Sequence, residues 1–164
     1  MQNIPICSIV AFSGTGKTTL IEKLITELKS RGVRVAVIKH DAHEFEIDRK
    51  GKDSWRFTQA GADITIVTSK DKAVIMENRK VSIEEIIDKI TDVDLIITEG
   101  YKHGPWPKIA VRRGATGKSF PISEEECAAL VSDEPIESDK PCFKLGEVEK
   151  LADFLTSFQR AGNV

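Results

Sequence analysis

The sequence lacks a long apolar run, and no stretch of it approaches the roughly 18 consecutive apolar residues of a membrane-spanning helix. Its beginning also lacks the basic and then apolar pattern of a secretory signal. A basic excess is missing too, since 24 Lys and Arg stand against 26 Asp and Glu, whereas a broad nucleic-acid surface needs such an excess. We therefore expect a cytoplasmic protein that binds neither membranes nor nucleic acid.

Cysteine is scarce as well. The three cysteines, Cys7, Cys127 and Cys142, are odd in number, widely spaced and contain no C-x-x-C pair. This pattern argues against a disulfide framework and against a cysteine zinc site. We expect all three to be small buried residues.

What the chain does contain is an alternation of short apolar runs and amphipathic segments. The run IPICSIVAF suits a strand buried on both faces. Leucine and isoleucine then recur at helical spacing as far as Gly32, a natural helix stop, and VRVAVIKH reads as a second strand. Strand, helix and strand in so short a stretch indicate a βαβ unit with parallel strands.

The remaining elements follow the same logic. VDLIITEG, PKIAVRR and CAALVSD predict further strands, and ITIVTSKDKAVIM predicts an antiparallel hairpin at residues 64–76. Three helices are also predicted. One lies at residues 53–60, a second begins at a capping box formed by Ser82 and Glu85, and a third begins at Val148. With no repeat or linker, residues 1–164 are predicted to form a single α/β domain, a mostly parallel sheet flanked by helices.

Residues 11–20, AFSGTGKTTL, nearly match the phosphate-binding loop (P-loop) rule G-x-x-x-x-G-K-[ST], with alanine in the place of the first glycine. In such a loop, backbone N–H groups and a helix N-terminus point at one anion. Ala11 is tolerable if its φ is negative. The setting between a buried strand and an amphipathic helix favours a nucleotide site over a threonine-capped surface helix. The predicted nucleotide-binding residues are Ser13, Gly14, Thr15, Gly16, Lys17, Thr18 and Thr19.

The segment DLIITEG offers two carboxylates for a metal ion beside this loop. Asp94 enters the strand, roughly 16 Å from its carboxyl end, and is interpreted as a solvated strand start. Glu99 leaves the strand at the edge where parallel α/β sheets bind ligands. We predict Lys17 and Glu99 as catalytic residues and Thr18 and Glu99 as ligands of Mg²⁺, with a surface carboxylate as the alternative for Glu99.

The polar segment after the second strand leaves from the same edge. Its side chains resemble a switch loop that reaches the γ-phosphate and its Mg²⁺. The H-x-x-H pattern makes zinc conceivable, although a structural zinc site usually has four ligands. For any single residue a solvated loop is an equal alternative. The residues are His40, Asp41, His43, Asp48 and Asp53.

A base pocket is the least defined part of the site. The usual guanine-reading motif N-K-x-D is absent. Asp133, at the end of a predicted strand, either accepts hydrogen bonds from guanine or caps a turn before Pro135. Trp106, in the rigid segment GPWP, either docks a partner or packs over apolar neighbours, with packing favoured.

Six segments of the chain carry a family resemblance, in this order: FSGTGKTTL, IKHDAHEFEIDRKGKDS, AGA, LIITEGYK, PKIAV and LVSDEP. By these segments the chain resembles the molybdopterin-guanine dinucleotide biosynthesis protein B family. The resemblance covers essentially the whole chain. The block KHDAH…D…GKDS followed by TEGYK is far more specific than the phosphate loop, which many families share. The alanine at position 11 departs from the strict loop rule.

The resemblance implies a P-loop protein that binds GTP with Mg²⁺, is a homodimer and has at most slow GTPase activity. It implies an accessory role beside the molybdenum cofactor guanylyltransferase that attaches GMP to molybdopterin, and leaves open whether pterin binds this chain directly. By motif, Lys17 and Thr18 carry over as phosphate and metal residues and Glu99 as the strand-end acid. The switch block that carries over comprises His40, Asp41, Asp48, Lys52 and Asp53.

Enzymatic activity is left open by the residues themselves. No water-orienting glutamine is obvious. An arginine finger is assured only if Arg112, Arg113 or a partner supplies it, and the absence of an arginine finger commonly lowers the rate by about 10³- to 10⁵-fold. One rival hypothesis is a small-molecule kinase that uses ATP, with residues 111–119 as an arginine-bearing lid. Another is a non-catalytic adaptor that holds nucleotide for a partner. Pairing of hairpin edges is one route to a dimer.

Overall fold

The computed structural model describes residues 4–40 and 48–161, with side chains described as far as residue 158. The chain divides into two compact units, one formed by residues 1–40 and 90–164 and the other by residues 41–89. The prediction of one domain therefore stays a prediction. None of the helices in the described ranges combines the length and the apolar character that crossing a bilayer requires.

The first unit is built on a six-stranded parallel sheet, as the sequence predicts. Numbered along the whole chain, the strands are β1 (Ile6–Ala11), β2 (Val35–Lys39), β3 (Ile64–Thr68), β4 (Ala73–Glu77), β5 (Leu95–Glu99), β6 (Lys108–Arg112), β7 (Cys127–Ser132) and β8 (Cys142–Lys144). The sheet order is β2-β5-β1-β6-β7-β8, while β3 and β4 pair with each other. The three-residue strand β8 has no predicted counterpart.

Two long helices cover one face of this sheet. They are α1 (Lys17–Ser30) and α4 (Val148–Ala161), and each turns a leucine-rich stripe inward, including Leu24 and Leu155, which are fully buried. Alternate residues of β1 and β5 meet them in one apolar cluster. Helix α1 ends at the predicted place, because Gly32 adopts a φ of +76° and donates its N–H to the Lys29 carbonyl at 3.0 Å.

Two of the three cysteines are buried as predicted. Burial raises the pKa of Cys7 to about 12 and the pKa of Cys127 to about 11, so both thiols stay protonated at neutral pH. The prediction for Cys142 is wrong, because this residue is exposed. It lies on the edge strand β8, where the next residue, Phe143, turns towards Phe154 of α4 and Cys142 points the other way.

Asp94 is more than a solvated strand start. Its carboxylate accepts hydrogen bonds from the Arg34 backbone N–H at 2.7 Å and from the Arg34 guanidinium at 3.1 and 3.2 Å. These hydrogen bonds, foremost the one from the guanidinium, hold the pKa of Asp94 below its usual range. The contact joins the starts of β2 and β5, at the end of the strands opposite to the phosphate loop.

The second unit contains the predicted hairpin and two short helices. β3 and β4 pair antiparallel with Ile66 opposite Ile75, and the helices are α2 (Asp53–Gln59) and α3 (Ile83–Asp88). Ser82 caps α3 by accepting the Glu85 N–H at 3.2 Å, as the capping box predicts. Neither helix has a fully buried side chain.

The centre of the parallel sheet contains a buried pair of hydroxyl groups. Ser8 of β1 and Thr98 of β5 are neighbours in the strand register, both are fully buried, and their oxygens lie 2.8 Å apart. The next residues in register are Ile9 and Glu99. The pair therefore lies directly behind the carboxyl edge of the sheet.

We expect Ser8→Ala and Thr98→Val each to lower the free energy of unfolding by about 1–3 kcal/mol, because each leaves a buried hydroxyl without its partner. The double variant is expected to lose much less than the sum, since no orphaned hydroxyl remains. Urea denaturation of the four proteins measures this. Losses that simply add would contradict a coupled hydroxyl pair.

Candidate nucleotide-binding site

The phosphate loop connects the end of β1 to the start of α1. Ala11 is the last residue of β1, is nearly buried and lies opposite Val111 of β6. The positive φ angles fall further along the loop, +83° at Gly14 and +84° at Gly16. The loop therefore needs glycine at positions 14 and 16 but not at position 11, where the extended strand backbone accepts alanine.

The loop is held in shape by its own hydrogen bonds. Thr15 is nearly buried and donates its hydroxyl to the Phe12 carbonyl at 2.9 Å. Gly16 is the N-cap of α1 and accepts the Leu20 N–H at 3.0 Å. No side chain caps the start of α1, and Ser13, Thr18 and Thr19 are exposed around it. Such a start is suited to receive an anion.

Lys17 and Glu99 come together at this loop. Because β5 lies beside β1 in parallel register, Glu99 stands level with Ile9, at the edge from which the loop departs. The Lys17 ammonium lies 3.5 Å from the Glu99 carboxylate, and the side chains are 20% and 13% exposed. The Thr18 hydroxyl follows Lys17 directly. A hydroxyl and a carboxylate are hard oxygen donors of the kind that Mg²⁺ accepts.

Three further cationic side chains surround the loop. The Arg113 guanidinium lies 3.8 Å from the point where a Cβ on Gly16 would stand. The ammonium groups of Lys102 and Lys118 lie 4.8 and 5.7 Å from the centre of the Phe12 ring, and Lys118 also donates to the Ser13 carbonyl at 3.5 Å. Sequence analysis missed Lys102 and Lys118. Their positions just beyond β5 and β6, at the same sheet edge as Glu99, are the signal that could have found them.

Asp133 follows β7 at this edge and contacts the segment after β6. One carboxylate oxygen accepts the Gly114 N–H at 2.8 Å, and the other lies 3.8 Å from Nε of Arg113. Both oxygens therefore have partners within the protein. Guanine recognition by Asp133 stays a prediction.

The predicted switch residues separate into three groups. His40 follows β2, donates its N–H to the Glu99 carbonyl at 3.1 Å and packs its ring 4.7 Å from that of Tyr101. Asp41 and His43 lie outside the described residues. Asp48, Lys52 and Asp53 belong to the second unit: Asp48 accepts the Arg49 N–H at 2.8 Å, Lys52 is the N-cap of α2, and Asp53 lies 3.7 Å from Arg56.

No group of three or more His, Cys, Asp or Glu side chains within residues 4–40 and 48–161 is arranged to hold a metal ion. His43, the second histidine of the H-x-x-H pattern, lies outside these ranges, so the zinc alternative stays a prediction. A Mg²⁺ ion in a phosphate loop depends less on such a cluster, because phosphate oxygens and water supply most of its ligands.

Tyr101 adopts a left-handed φ of +52° immediately after Gly100, whose φ is +96°. This conformation is rare for a bulky residue. The Tyr101 ring lies edge-on to Trp106 at 5.6 Å. Trp106 therefore packs within the first unit, as the packing interpretation predicts, and the aromatic contacts hold the segment that follows Glu99.

The family model for molybdopterin guanine dinucleotide synthesis protein B (MobB) matches residues 6–133. The chain belongs to the MobB family. This membership confirms the resemblance, the predicted α/β fold with its phosphate loop and the predicted place in molybdenum cofactor biosynthesis.

Individual MobB relatives match over nearly their whole length. A molybdopterin-guanine dinucleotide biosynthesis adapter protein of Haemophilus influenzae is 37% identical over 161 residues, covering 96% of this chain and 90% of the relative. The protein of the same name from Escherichia coli is 34% identical, with coverages of 98% and 96%. A crystal structure of molybdopterin-guanine biosynthesis protein B is 32% identical, with a TM-score of 0.71, and the match covers 93% of this chain and 98% of that one.

We expect Gly14→Ala to weaken nucleotide binding and to cost about 1–2 kcal/mol of stability, because alanine is strained at this positive φ although its methyl group meets no atom within 4 Å. Ala11→Gly is the matched control. It restores the strict loop rule, yet we expect it only to lower stability by about 0.5–1 kcal/mol, because glycine weakens a strand. Urea denaturation and nucleotide titration measure both variants. Tighter binding by Ala11→Gly would show that position 11 limits the loop.

Proposed function

We propose that this MobB family member is a cytoplasmic GTP-binding accessory protein that assists the formation or delivery of molybdopterin guanine dinucleotide. The observation that supports this most directly is the meeting of Lys17 and Glu99 beside an open helix start. In phosphate-loop proteins a lysine reaches the terminal phosphates and an acid at the end of a neighbouring strand serves the metal.

In this proposal residues 13–19 hold the triphosphate, with Lys17 as its cation, while Thr18 and Glu99 hold Mg²⁺. The bound metal would bridge phosphate oxygens and neutralise their charge. The ion pair between Lys17 and Glu99 fits the protein without nucleotide, because each side chain neutralises the other until phosphate and metal replace them. His40, Asp41, His43, Asp48, Lys52 and Asp53 are proposed as a switch segment, without individual roles.

GTP turnover is proposed to be slow. The chain offers a cation and a strand-end acid but no obvious glutamine to orient water, and such a set supports binding better than rapid hydrolysis. The relatives are named adapter proteins, which agrees with a protein that holds nucleotide for another. We propose the molybdenum cofactor guanylyltransferase as that partner and include molybdopterin among the proposed ligands of this chain.

A homodimer is proposed because the hairpin leaves apolar surface uncovered. Ile64, Ile66 and Ile75 of β3 and β4 are 54%, 57% and 64% exposed. Ile66 and Ile75 are cross-strand neighbours, and Ile64 shares their face two residues earlier. A two-stranded sheet is marginal by itself. Packing of this face against the hairpin of a second copy would cover these isoleucines, while pairing of the open strand edges would join the two hairpins into one sheet.

We expect Ile66→Lys to shift the protein from dimer to monomer, because a charge on this face opposes its burial. Light scattering at micromolar concentration measures the change. Val67→Lys adds the same charge to an exposed position on the opposite face of the same strand, and it is expected to stay dimeric. A wild-type monomer, or equal effects of the two variants, would count against a dimer formed through this face.

The second candidate function is a small-molecule kinase that uses ATP. The observation that favours it is the approach of Arg113 and Lys118, both within residues 111–119, to the phosphate loop. Kinases of this type carry such cations on a lid. Family membership favours the accessory role instead.

Calorimetric titration with GTP and with ATP, each with Mg²⁺, decides between the two functions. We expect GTP to bind more tightly than ATP, and Lys17→Ala to remove most of the binding because the terminal phosphates lose their cation. Lys23→Ala, an exposed lysine on the same helix, serves as the control and is expected to bind normally. A preference for ATP with phosphate transfer to a small alcohol would place the kinase first.

A further inference from the structure

We propose that Arg113 is an arginine of the nucleotide site supplied by this same chain, and that Asp133 positions it to contact the polyphosphate. The proposal deepens the proposed function and rests on it, since the ligand is the nucleotide held by residues 13–19. It adds a phosphate-binding residue outside the loop and gives Asp133 a role other than recognition of the base.

The first argument is proximity. Both Cζ and Nη1 of Arg113 lie 3.8 Å from the place where a Cβ on Gly16 would stand. Gly16 immediately precedes Lys17 and caps α1, so the guanidinium borders the part of the loop where phosphate oxygens bind. Because Gly16 has no side chain, the guanidinium can lie close to the backbone of the loop at this residue.

The second argument is that the Arg113 guanidinium has donors to spare. Among the described residues its charged partner is Asp133, with Nε and Oδ2 3.8 Å apart, a distance too long for a hydrogen bond. The side chain is 47% exposed. Guanidinium groups bind phosphate through two parallel N–H donors, and Nη1, the nitrogen nearest to Gly16, is one that can serve.

The neighbouring arginine does not share this position. Arg112 lies on the other face of β6, as strand alternation requires. Its guanidinium is 3.6 Å from Glu134 and 5.1 Å from the centre of the Phe120 ring. Of the two arginines that the sequence offers here, Arg113 is therefore the one at the loop.

The third argument is that the backbone of Arg113 is held in place before any ligand binds. Asp133 accepts the N–H of the next residue, Gly114, at 2.8 Å. The Arg113 carbonyl accepts both the N–H of Thr116 at 3.1 Å and its hydroxyl at 2.7 Å. Both groups belong to the peptide unit between Arg113 and Gly114. With this peptide unit fixed and the Nε of Arg113 facing a carboxylate, the side chain loses less freedom on contacting phosphate.

The charge around the loop agrees with a polyphosphate ligand. Within the described part of the first unit, the cations near the loop are Lys17, Lys102, Arg113 and Lys118, and the carboxylates that contact them are Glu99 and Asp133. Cations therefore outnumber carboxylates. A surplus of positive charge at a helix start favours the negative charge of a nucleoside triphosphate.

The test is calorimetric titration of the full chain with GTP and ATP in the presence of Mg²⁺. Arg113→Ala is expected to raise the Kd for both nucleotides by about 10- to 100-fold, the usual effect of losing hydrogen bonds to a charged group. Arg113→Lys is expected to recover part of the loss, because lysine keeps the charge without the fork of donors. Arg112→Lys, the neighbouring control, is expected to bind like the wild type.

Asp133→Asn tests the positioning role, because asparagine can still accept the Gly114 N–H but removes the charge that faces Arg113. We expect it to weaken GTP and ATP by the same factor, with an unchanged Tm. Combined with Arg113→Ala it is expected to add little, since it acts through the arginine. A loss of GTP preference alone would instead assign Asp133 to the base.

The outcomes separate this inference from the function on which it rests. A wild-type protein that binds neither nucleotide would overturn both. Normal binding by the wild type together with unchanged affinity in folded Arg113→Ala would overturn the inference alone. Additive losses in the double variant would remove the positioning role of Asp133 and leave Arg113 as a phosphate contact.

Discussion

The parallel pairing of β1 with β5 is the constraint on which the site depends. Its register sets Ile9 opposite Glu99, so the loop that leaves β1 and the acid that ends β5 emerge from one edge of the sheet. β6 pairs with β1 on the other side and brings Arg113 to the same edge. A change of register by one residue would turn Glu99 to the opposite face of the sheet.

The two units differ in how they bury apolar surface. In the first, the central strands β1, β5, β6 and β7 are almost wholly buried. In the second, α2 and α3 have no buried side chain, and isoleucines of the hairpin face solvent. The nucleotide loop thus stands on a well-packed scaffold, whereas the hairpin unit has apolar surface that suits contact with another chain.

The sequence predicted those parts of the fold in which a local pattern coincides with burial. The leucine spacing of α1, the continuous apolar runs of β1 and β5 and the turn of the hairpin each carry their own signal. β8 escaped prediction because it has three residues and only Phe143 faces the helices. The bond between Asp94 and Arg34 also escaped, since it joins residues 60 positions apart and no local pattern encodes it.

The residues of the site also fall into those that a local sequence pattern predicts and those that it does not. The phosphate loop is a contiguous motif, and Glu99 follows from the rule that ligands bind at the carboxyl edge. Arg112 and Arg113 were equivalent in the sequence, because their assignment depends on which face each takes where β6 ends. Lys102 and Lys118 follow β5 and β6 at this edge, but their distance from the loop depends on how those two segments turn back. The contacts of Asp133 likewise depend on the packing of two loops.

The buried hydroxyls of Ser8 and Thr98 are separated by 90 residues of chain, and this separation bears on how the protein folds. During synthesis β1 leaves the ribosome long before either of its neighbours, and closing so long a loop has an entropic cost that slows parallel pairing. Until β5 and β6 arrive, its apolar side chains have no sheet to join and are open to misassociation. The strand that carries the phosphate loop thus gains its two neighbours late. A loop able to bind nucleotide therefore indicates that the central strands of the sheet have paired.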